Sequence, residues 1–187
     1  MLNQLDTQAF LWLNALHTDW LDPIMGVITA RNTWFPMYAV IIGSILWKYK
    51  KQGWGMLLVI VLSVLFSDQI CSSVLKPLVA RLRPCHEPAI AHLVHLVGGC
   101  GGQYGFCSSH AANSFTLAMS LFLLVGKTYR WVSFLFLWAI IVSYSRIYVG
   151  VHYPLDVLSG AGIGTIVAVI CCKVYERIQH KVISRVD

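Results

Sequence analysis

The chain has 187 residues, of which 57% are hydrophobic and only 12% are charged, and its mean hydropathy is +0.67. This composition excludes an ordinary soluble domain, in which about a quarter of the residues are charged, and it indicates a membrane protein. The net charge of +6 does not indicate a nucleic-acid partner, because the basic residues are clustered between apolar segments.

The N-terminal segment, residues 1–30, contains no Lys or Arg. Its larger apolar residues recur at roughly helical spacing beside polar positions: Leu5, Phe10, Leu13 and Leu16. This pattern predicts an amphipathic helix that lies in the membrane interface, with a poorly formed extra span as the alternative. A secretory signal is not expected, because no basic residues come first and Asp and His interrupt the apolar positions.

Five nearly uncharged runs follow, each close to the roughly 20 residues that a helix needs to cross a bilayer. They are residues 32–47, 54–75, 107–126, 131–145 and 157–172. We therefore predict an all-α, polytopic transmembrane bundle of about five spans, which forms one domain over residues 1–187. Asp68 interrupts the second run, and we expect it to pair inside the bundle or, alternatively, to support the basic residues that follow.

Basic residues follow the first, third and fifth runs, within residues 48–51, 127–130 and 173–185. These connections alternate along the chain and therefore share one side, which the positive-inside rule assigns to the cytoplasm. We predict a bacterial inner-membrane protein with its N-terminus outside and its C-terminus in the cytoplasm. The connections 76–107 and 146–156 then lie on the extracytoplasmic side.

The first outer connection is about thirty residues long and begins with KPLVARLRP. Loops of this length are usually lids, binding loops or disordered segments. Lys76, Arg81 and Arg83 make its start basic, on the side of the membrane where lipid-facing Lys and Arg are less common. Lys76 and Arg83 are two helical turns apart, but Pro77 and Pro84 argue against a continuous helix.

Two predicted helix starts on the same side carry histidines. In CSSH, Ser108 is a suitable N-cap, and His110 lies in a first turn whose free N–H groups can bind an anion. In SRIYVGVHYPLD, Pro154 suits the first turn of a helix. His152 then precedes this helix, and Asp156 follows four residues later. Asp156 can fix one imidazole nitrogen and leave the other as a base or nucleophile.

Arg146 ends the preceding apolar run, where an unpaired guanidinium is costly. It therefore requires an anionic partner, either in the protein or in a ligand. Three spans thus end on one side in cations, histidines and helix N-termini. Phosphate is the ligand that suits all of them.

These motifs resemble the phosphatidic acid phosphatase type 2 superfamily, which also includes vanadium-dependent haloperoxidases. The family pattern is Lys, six residues, Arg-Pro; then Pro-Ser-Gly-His; then Ser-Arg, five residues, His, three residues, Asp. The first element is complete in residues 76–84 and the third in residues 145–156. The second is CSSH at 107–110, where Cys107 and Ser109 replace Pro and Gly.

The resemblance implies a metal-independent phosphatase that needs no cofactor. In it, His152 attacks phosphorus to give a phosphohistidine, Asp156 orients His152, and His110 protonates the leaving oxygen and then activates water. The other matching positions would bind the phosphoryl oxygens, in keeping with the need of phosphoryl transfer for fixed positive charge. They are Lys76, Arg83, Ser108, Ser109 and Arg146.

A site at the outer boundary of the membrane favours a lipid phosphate whose tail stays in the bilayer. Bacterial relatives of this family act on several such lipids. Among them we expect undecaprenyl pyrophosphate, with phosphates of lipid A and phosphatidylglycerophosphate as alternatives.

Other functions fit the residues less well. An intramembrane serine hydrolase could use Ser108 or Ser109, but the nucleophile-elbow pattern is absent and three cations would have no role. A transporter of anions or phospholipids would need the cations but not two histidines. A haloperoxidase would share the site but is not expected in a membrane. A zinc site within residues 85–100 fits no standard ligand spacing.

The outer segments contain Cys85, Cys100 and Cys107, which face an oxidising compartment in the predicted topology. Cys100 lies among four glycines that can bend towards Cys85, whereas Cys107 adjoins a helix start. We therefore predict a Cys85–Cys100 disulfide, which would contribute roughly 3 kcal/mol by closing its loop. Cysteines inside the apolar runs, among them Cys71, are predicted to be reduced.

Overall fold

The computed structural model describes residues 2–183, which contain helices and no strand. The all-α prediction is therefore confirmed. The α-helices are α1 (Leu2–Asn14), α2 (Asp22–Thr29), α3 (Phe35–Gln69), α4 (Lys76–Val79), α5 (Ser109–Val125), α6 (Phe134–Tyr148) and α7 (Pro154–Ile183). A π-helix, Ile70–Leu75, joins α3 to α4.

The long helix α3 is a hairpin of two halves. Its chain leaves the helical conformation at Lys50, where φ is 50° and ψ is −123°. A Cβ atom on Gly53 would lie 3.1 Å from the carbonyl oxygen of Ile45. Residues eight apart in a continuous helix are separated by about 12 Å and cannot make this contact. Residues 35–49 and 51–69 therefore run back along each other.

With α3 divided at Lys50, the described residues contain five long apolar helical segments, which match the five predicted runs. Within residues 2–183, three helical stretches are long and apolar enough to cross a membrane, with mean hydropathies of 2.0, 1.4 and 2.0. They are Arg31–Val79, Arg130–Tyr148 and Pro154–Lys181. The number of crossings stays a prediction.

Helices α5 and α7 pack closely because α7 carries glycines at the contact. A Cβ atom on Gly160 would overlap the carbonyl oxygen of Ser108, and one on Gly164 would overlap that of Ala112. The Thr116 hydroxyl donates a hydrogen bond to the Gly164 carbonyl oxygen at 3.1 Å. Small residues four apart permit such backbone approach in membrane bundles. The contact brings the N-terminus of α5 against α7.

The basic connections lie together at the other end of the bundle. The Tyr49 hydroxyl donates to Thr128 Oγ1 at 2.8 Å, which joins the turn of α3 to the α5–α6 connection. The ring of Tyr175 on α7 lies against Gly55, at the start of the second half of α3. The basic residues of the three connections thus occupy one end, as the predicted topology requires.

Helix α1 turns polar residues towards the bundle. It is 13 residues long, about 20 Å, and is therefore shorter than a hydrocarbon core of roughly 30 Å. Asp6, Phe10 and Asn14 are buried, whereas Leu5 is 55% exposed and Leu16 is 51% exposed. Only part of the predicted apolar face therefore packs on the protein. The interfacial position of this helix stays a prediction.

The structure contains two disulfides among the described residues. Cys85 is bonded to Cys100, with 6.0 Å between their Cα atoms. Cys107 is bonded to Cys71, with 5.4 Å between their Cα atoms. The prediction of a reduced Cys71 and an unpaired Cys107 was wrong. The reason is that the π-helix after α3 and the start of α5 are neighbours, which sequence spacing does not reveal.

Candidate active site

The histidine-bearing connections meet where α5 and α7 begin. The Ser108 backbone N–H donates to the Asp156 carbonyl oxygen at 2.9 Å. The Ser108 side chain caps α5 by accepting from the Ala111 N–H at 3.4 Å. Ser109 and His110 are therefore the first residues of α5, where backbone N–H groups have no intrahelical acceptor. This end of α5 can receive an anion.

His152 and Asp156 form a buried pair, as the sequence predicts from their spacing. His152 is 2% exposed and Asp156 is fully buried. Nδ1 of His152 lies 3.5 Å from Oδ2 of Asp156 and has no hydrogen bond within the described part of the chain. Catalytic contacts are often this long before substrate binds. With its proton on Nδ1, His152 would carry a free lone pair on Nε2.

The charge state of His152 suits a nucleophile. Burial lowers its pKa to about 4, although the carboxylate of Asp156 acts in the opposite direction. The imidazole is therefore neutral at neutral pH, and its lone pair is available.

Arg83 is held by residues at the other end of the 76–107 connection, which folds back on itself. Its Nε donates to the Tyr104 carbonyl oxygen at 3.2 Å, and its Nη1 donates to the Cys100 carbonyl oxygen. Its backbone N–H donates to the Gln103 carbonyl oxygen at 3.1 Å. Burial lowers the pKa of Arg83, while the nearby Asp156 raises it. The 76–107 connection thus fixes the position of this guanidinium, and the Cys85–Cys100 disulfide links the part of the connection that carries Arg83 to the part that contacts it.

Two further cations come from membrane helices. Nζ of Lys76 lies 3.5 Å from the Ser109 hydroxyl. Arg146 donates through Nη1 to the Thr29 hydroxyl, and its buried Nε has no partner among the described residues. No carboxylate in the described part of the chain forms an ion pair with Arg146. Of the two partners expected from the sequence, a carboxylate of the protein is thus absent among the described residues, which leaves an anionic ligand.

His110 stands between this polar cluster and an apolar cavity. It lies within electrostatic range of His152, Lys76 and Arg146. A cavity of about 740 Å³ begins beside Ser109 and His110 and extends between α3, α5 and α6. Its lining is largely aromatic and aliphatic and includes Trp34, Tyr38, Ile60, Leu65 and Trp138. The arrangement places a charged site at the end of a compartment suited to alkyl chains.

Asp68 and the two cysteines considered for a zinc site have partners within the protein. Asp68 lines the cavity and accepts a hydrogen bond from Asn113 Nδ2 at 2.9 Å, which links α3 to α5. Asp68 thus contacts the side-chain amide of a neighbouring helix.

The zinc alternative loses two ligands, because Cys85 and Cys100 are bonded to each other. Among the described residues, no three His, Cys, Asp or Glu side chains converge as metal ligands.

Sequence reasoning missed the partners of Asp156. Oδ1 of Asp156 accepts from Arg81 Nη1 at 2.9 Å, and Arg81 Nη2 also donates to Asp6 Oδ2 at 2.6 Å. The basic character of Arg81 was visible in the sequence, but no spacing rule links it to residues 75 positions away in either direction.

Comparisons with known proteins all indicate the same protein family. A model of the PAP2 superfamily matches residues 54–179, a range that contains every site residue predicted from the sequence. The lipid A 4'-phosphatase of Bacteroides thetaiotaomicron is 46% identical over 167 residues, which cover 87% of this chain and 73% of that protein. The lipid A 4'-phosphatase of Porphyromonas gingivalis is 36% identical over 177 residues, with coverages of 92% and 73%. The crystal structure of Aquifex aeolicus LpxE superposes with a TM-score of 0.68 at 27% identity and covers 90% of this chain and 95% of its own.

Proposed function

We propose that this chain, which belongs to the PAP2 superfamily and is a membrane lipid phosphatase, hydrolyses the 4'-phosphate monoester of lipid A. The 46% identity to a lipid A 4'-phosphatase carries this choice of substrate. It replaces the undecaprenyl pyrophosphate that we expected from the sequence, where no residue distinguishes one lipid phosphate from another. The second lipid A 4'-phosphatase, at 36% identity, supports the same substrate.

The cavity supports a lipid substrate of this kind. Its apolar walls are formed by membrane helices, and its polar end is formed by Ser109 and His110. A lipid could therefore keep its acyl chains among apolar side chains while its phosphate reaches the cations. A water-soluble phosphate ester would gain nothing from such walls.

The proposed reaction has two steps. Nε2 of His152 attacks phosphorus, and the bond from phosphorus to the sugar oxygen breaks as the N–P bond forms. His110 gives a proton to the leaving oxygen, while Asp156 holds the Nδ1 proton of His152. In the second step, His110 removes a proton from water, the water oxygen attacks phosphorus, and the N–P bond breaks to release inorganic phosphate.

Fixed cations stabilise both transition states in this scheme. Lys76, Arg83 and Arg146 surround the phosphoryl oxygens, and the N–H groups at the start of α5 add donors. Positioned positive charge provides most of the catalysis in phosphoryl transfer. The role is thus assigned to side chains of the protein, and no metal ion is required.

The orientation in the membrane follows from the charge distribution. The basic connections lie at the end of the bundle opposite to the site. We place that end in the cytoplasm, so that the site faces the extracytoplasmic side of a bacterial inner membrane. The N-terminus is then outside and the C-terminus is in the cytoplasm.

The substrate is tested by phosphate release from purified protein in detergent. Lipid A with two phosphates, undecaprenyl pyrophosphate and phosphatidylglycerophosphate are compared, and mass spectrometry locates the phosphate that lipid A loses. We expect the highest kcat/KM for lipid A, with loss at the 4' position. Faster hydrolysis of either other lipid would overturn the substrate, and hydrolysis of none by folded protein would overturn the activity.

The intermediate is tested with lipid A labelled in its phosphate. Rapid acid-free quenching should leave label on the protein in an acid-labile, alkali-stable form, as expected for a phosphohistidine. His152→Ala should carry no label. His110→Ala slows both steps and should accumulate label if water activation in the second step is its main role. Full labelling or full turnover in His152→Ala would exclude this nucleophile.

A further inference from the structure

Arg81 joins two buried carboxylates that come from opposite ends of the chain. Its Nη1 donates to Oδ1 of Asp156 at 2.9 Å, and its Nη2 donates to Oδ2 of Asp6 at 2.6 Å. Both carboxylates are almost inaccessible, at 5% exposure for Asp6 and 0% for Asp156. Hydrogen bonds between charged groups in such surroundings are strong and directional.

The bond from Arg81 fixes the carboxylate of Asp156 on the side away from His152. Oδ2 accepts from the Tyr153 backbone N–H at 3.0 Å and faces Nδ1 of His152 at 3.5 Å. Oδ1 is held by Arg81. With a donor on each oxygen, the plane of the carboxylate is set, and Oδ2 remains directed at the imidazole. Loss of the Arg81 bond would free the carboxylate to rotate.

Asp6 holds Arg81 in turn and ties α1 to the site. Its Oδ1 accepts from the backbone N–H of Leu155 in the first turn of α7, at 2.9 Å. A carboxylate at this position is also favoured by the helix dipole. The guanidinium carbon of Arg81 lies 3.8 Å from the ring centroid of Tyr153, which adds a cation–π contact. The N-terminal helix is therefore part of the support of Asp156.

Arg81 and Arg83 are two residues apart in the chain but contact different groups. Leu82 forms a β-bridge with Tyr104, so this segment is extended. Arg81 contacts two carboxylates, whereas Arg83 contacts main-chain carbonyl oxygens and has no carboxylate in ion-pair range among the described residues. A guanidinium with both terminal nitrogens on carboxylates has little capacity left for a phosphate. Arg81 is thus suited to positioning and Arg83 to binding.

We infer that Arg81 is a positioning residue, which with Asp6 of α1 holds Asp156 in line with His152. The inference rests on the proposed function for the role of His152 as nucleophile. It assigns the N-terminal helix a part in the chemistry beyond any contact with the membrane.

The first test compares Arg81→Gln with Arg130→Gln, which makes the same change at an exposed arginine far from the site. Arg81→Gln should lower kcat by about 100-fold, as expected for a displaced catalytic group, and should leave KM within about twofold. The kcat of Arg81→Lys should lie between those of Arg81→Gln and the wild type, because an ammonium keeps the charge but lacks the planar fork of a guanidinium. Arg130→Gln should match the wild type. A raised KM at constant kcat would instead make Arg81 a substrate ligand and overturn the inference.

A second measurement separates positioning from a general loss of structure. The charged and titratable groups around His152 are Asp156, Arg83, Arg146 and His110. Arg81 adds a positive charge through its bond to Asp156. Removing that charge leaves the pair of His152 and Asp156 with one cation fewer beside it, so the pair takes up a proton at higher pH. The acid limb of kcat should therefore move to higher pH in Arg81→Gln. It should move to lower pH in Asp6→Asn, where a negative charge is lost.

The titration of His152 can also be followed without substrate, by ¹⁵N NMR of histidine-labelled protein with His152→Ala for assignment. Opposite shifts in Arg81→Gln and Asp6→Asn would support the inference even if no lipid phosphate were hydrolysed. If Arg81→Gln does not fold, the titration of His152 in Asp6→Asn alone tests the inference. Unshifted titration in every folded variant would overturn the inference.

Discussion

Gly164→Ala should force α5 and α7 apart. The added methyl group would overlap the carbonyl oxygen of Ala112 and crowd Thr116 Oγ1 at 2.8 Å. The carbonyl belongs to a helix backbone and cannot rotate away, so the helices themselves must move. Gly162 lies on the same helix two residues earlier, and a Cβ atom there meets nothing within 4 Å. Gly162→Ala is therefore a matched control that adds the same methyl group without the contact.

The expected difference can be worked from this contact. Overpacking of a close contact costs about 1–3 kcal/mol. The gain in helix propensity from Gly to Ala, about 1 kcal/mol, is common to both variants and cancels between them. At roughly 2–4 °C per kcal/mol for a chain of this size, Gly164→Ala should melt about 2–12 °C below Gly162→Ala. Its activity should fall too, because a wider separation of α5 and α7 would also lengthen the hydrogen bond from the Ser108 N–H to the Asp156 carbonyl oxygen, which joins the same two helices.

The assay is thermal unfolding of both variants in one detergent, followed by intrinsic fluorescence, together with phosphate release at a temperature where both are folded. Equal melting temperatures would refute the close packing of α5 on α7. Lower stability with unchanged kcat would show that the site tolerates a wider helix separation than the structure implies.

Three further outcomes are expected. On the acid side, phosphate release should decline as the pH approaches the pKa of His152, about 4, because protonation removes the attacking lone pair; an acid limb near about 6.5, the ordinary value for histidine, would contradict this. Cys85→Ser should lower the melting temperature, by the loss of roughly 3 kcal/mol from loop closure, and should raise KM because Arg83 donates to the Cys100 carbonyl oxygen. The free thiol Cys172 offers the control variant Cys172→Ser, and equal effects of the two would exclude a special role for the disulfide. Finally, activity should survive a chelator, and complete loss with EDTA would contradict a metal-independent mechanism.

The helices and the family were predictable because both depend on short-range patterns. Each apolar run maps onto one helical segment, and the basic cluster at 48–51 coincides with the reversal of α3 at Lys50. The motifs at 76–84, 107–110 and 145–156 were sufficient for the family, which the match over residues 54–179 confirms. Motif residues converge because alternate connections of a bundle share one end.

Contacts between distant segments were not predictable in this way. The Leu155 N–H binds Asp6 across 149 positions, and no periodicity relates the two residues. Helix α1 also shows why an apolar stripe was a poor guide to its buried face. Next to a bilayer, apolar side chains such as Leu5 can face lipid, while polar ones such as Asn14 turn inward to find partners. The usual rule for water-soluble helices is therefore partly reversed.

The charge balance of the site gives the Asp6–Arg81–Asp156 contacts a chemical consequence. The proposed mechanism needs a carboxylate beside His152, but its negative charge would weaken phosphate binding if it paired with the cations proposed to bind the phosphate. Asp156 pairs with Arg81 instead, and Asp6 balances that arginine further. Within the described residues, Lys76, Arg83 and Arg146 form no ion pair, so their charge remains available to the phosphate. In the proposed mechanism, Asp156 can thereby orient His152 without neutralising the cations that would bind the substrate.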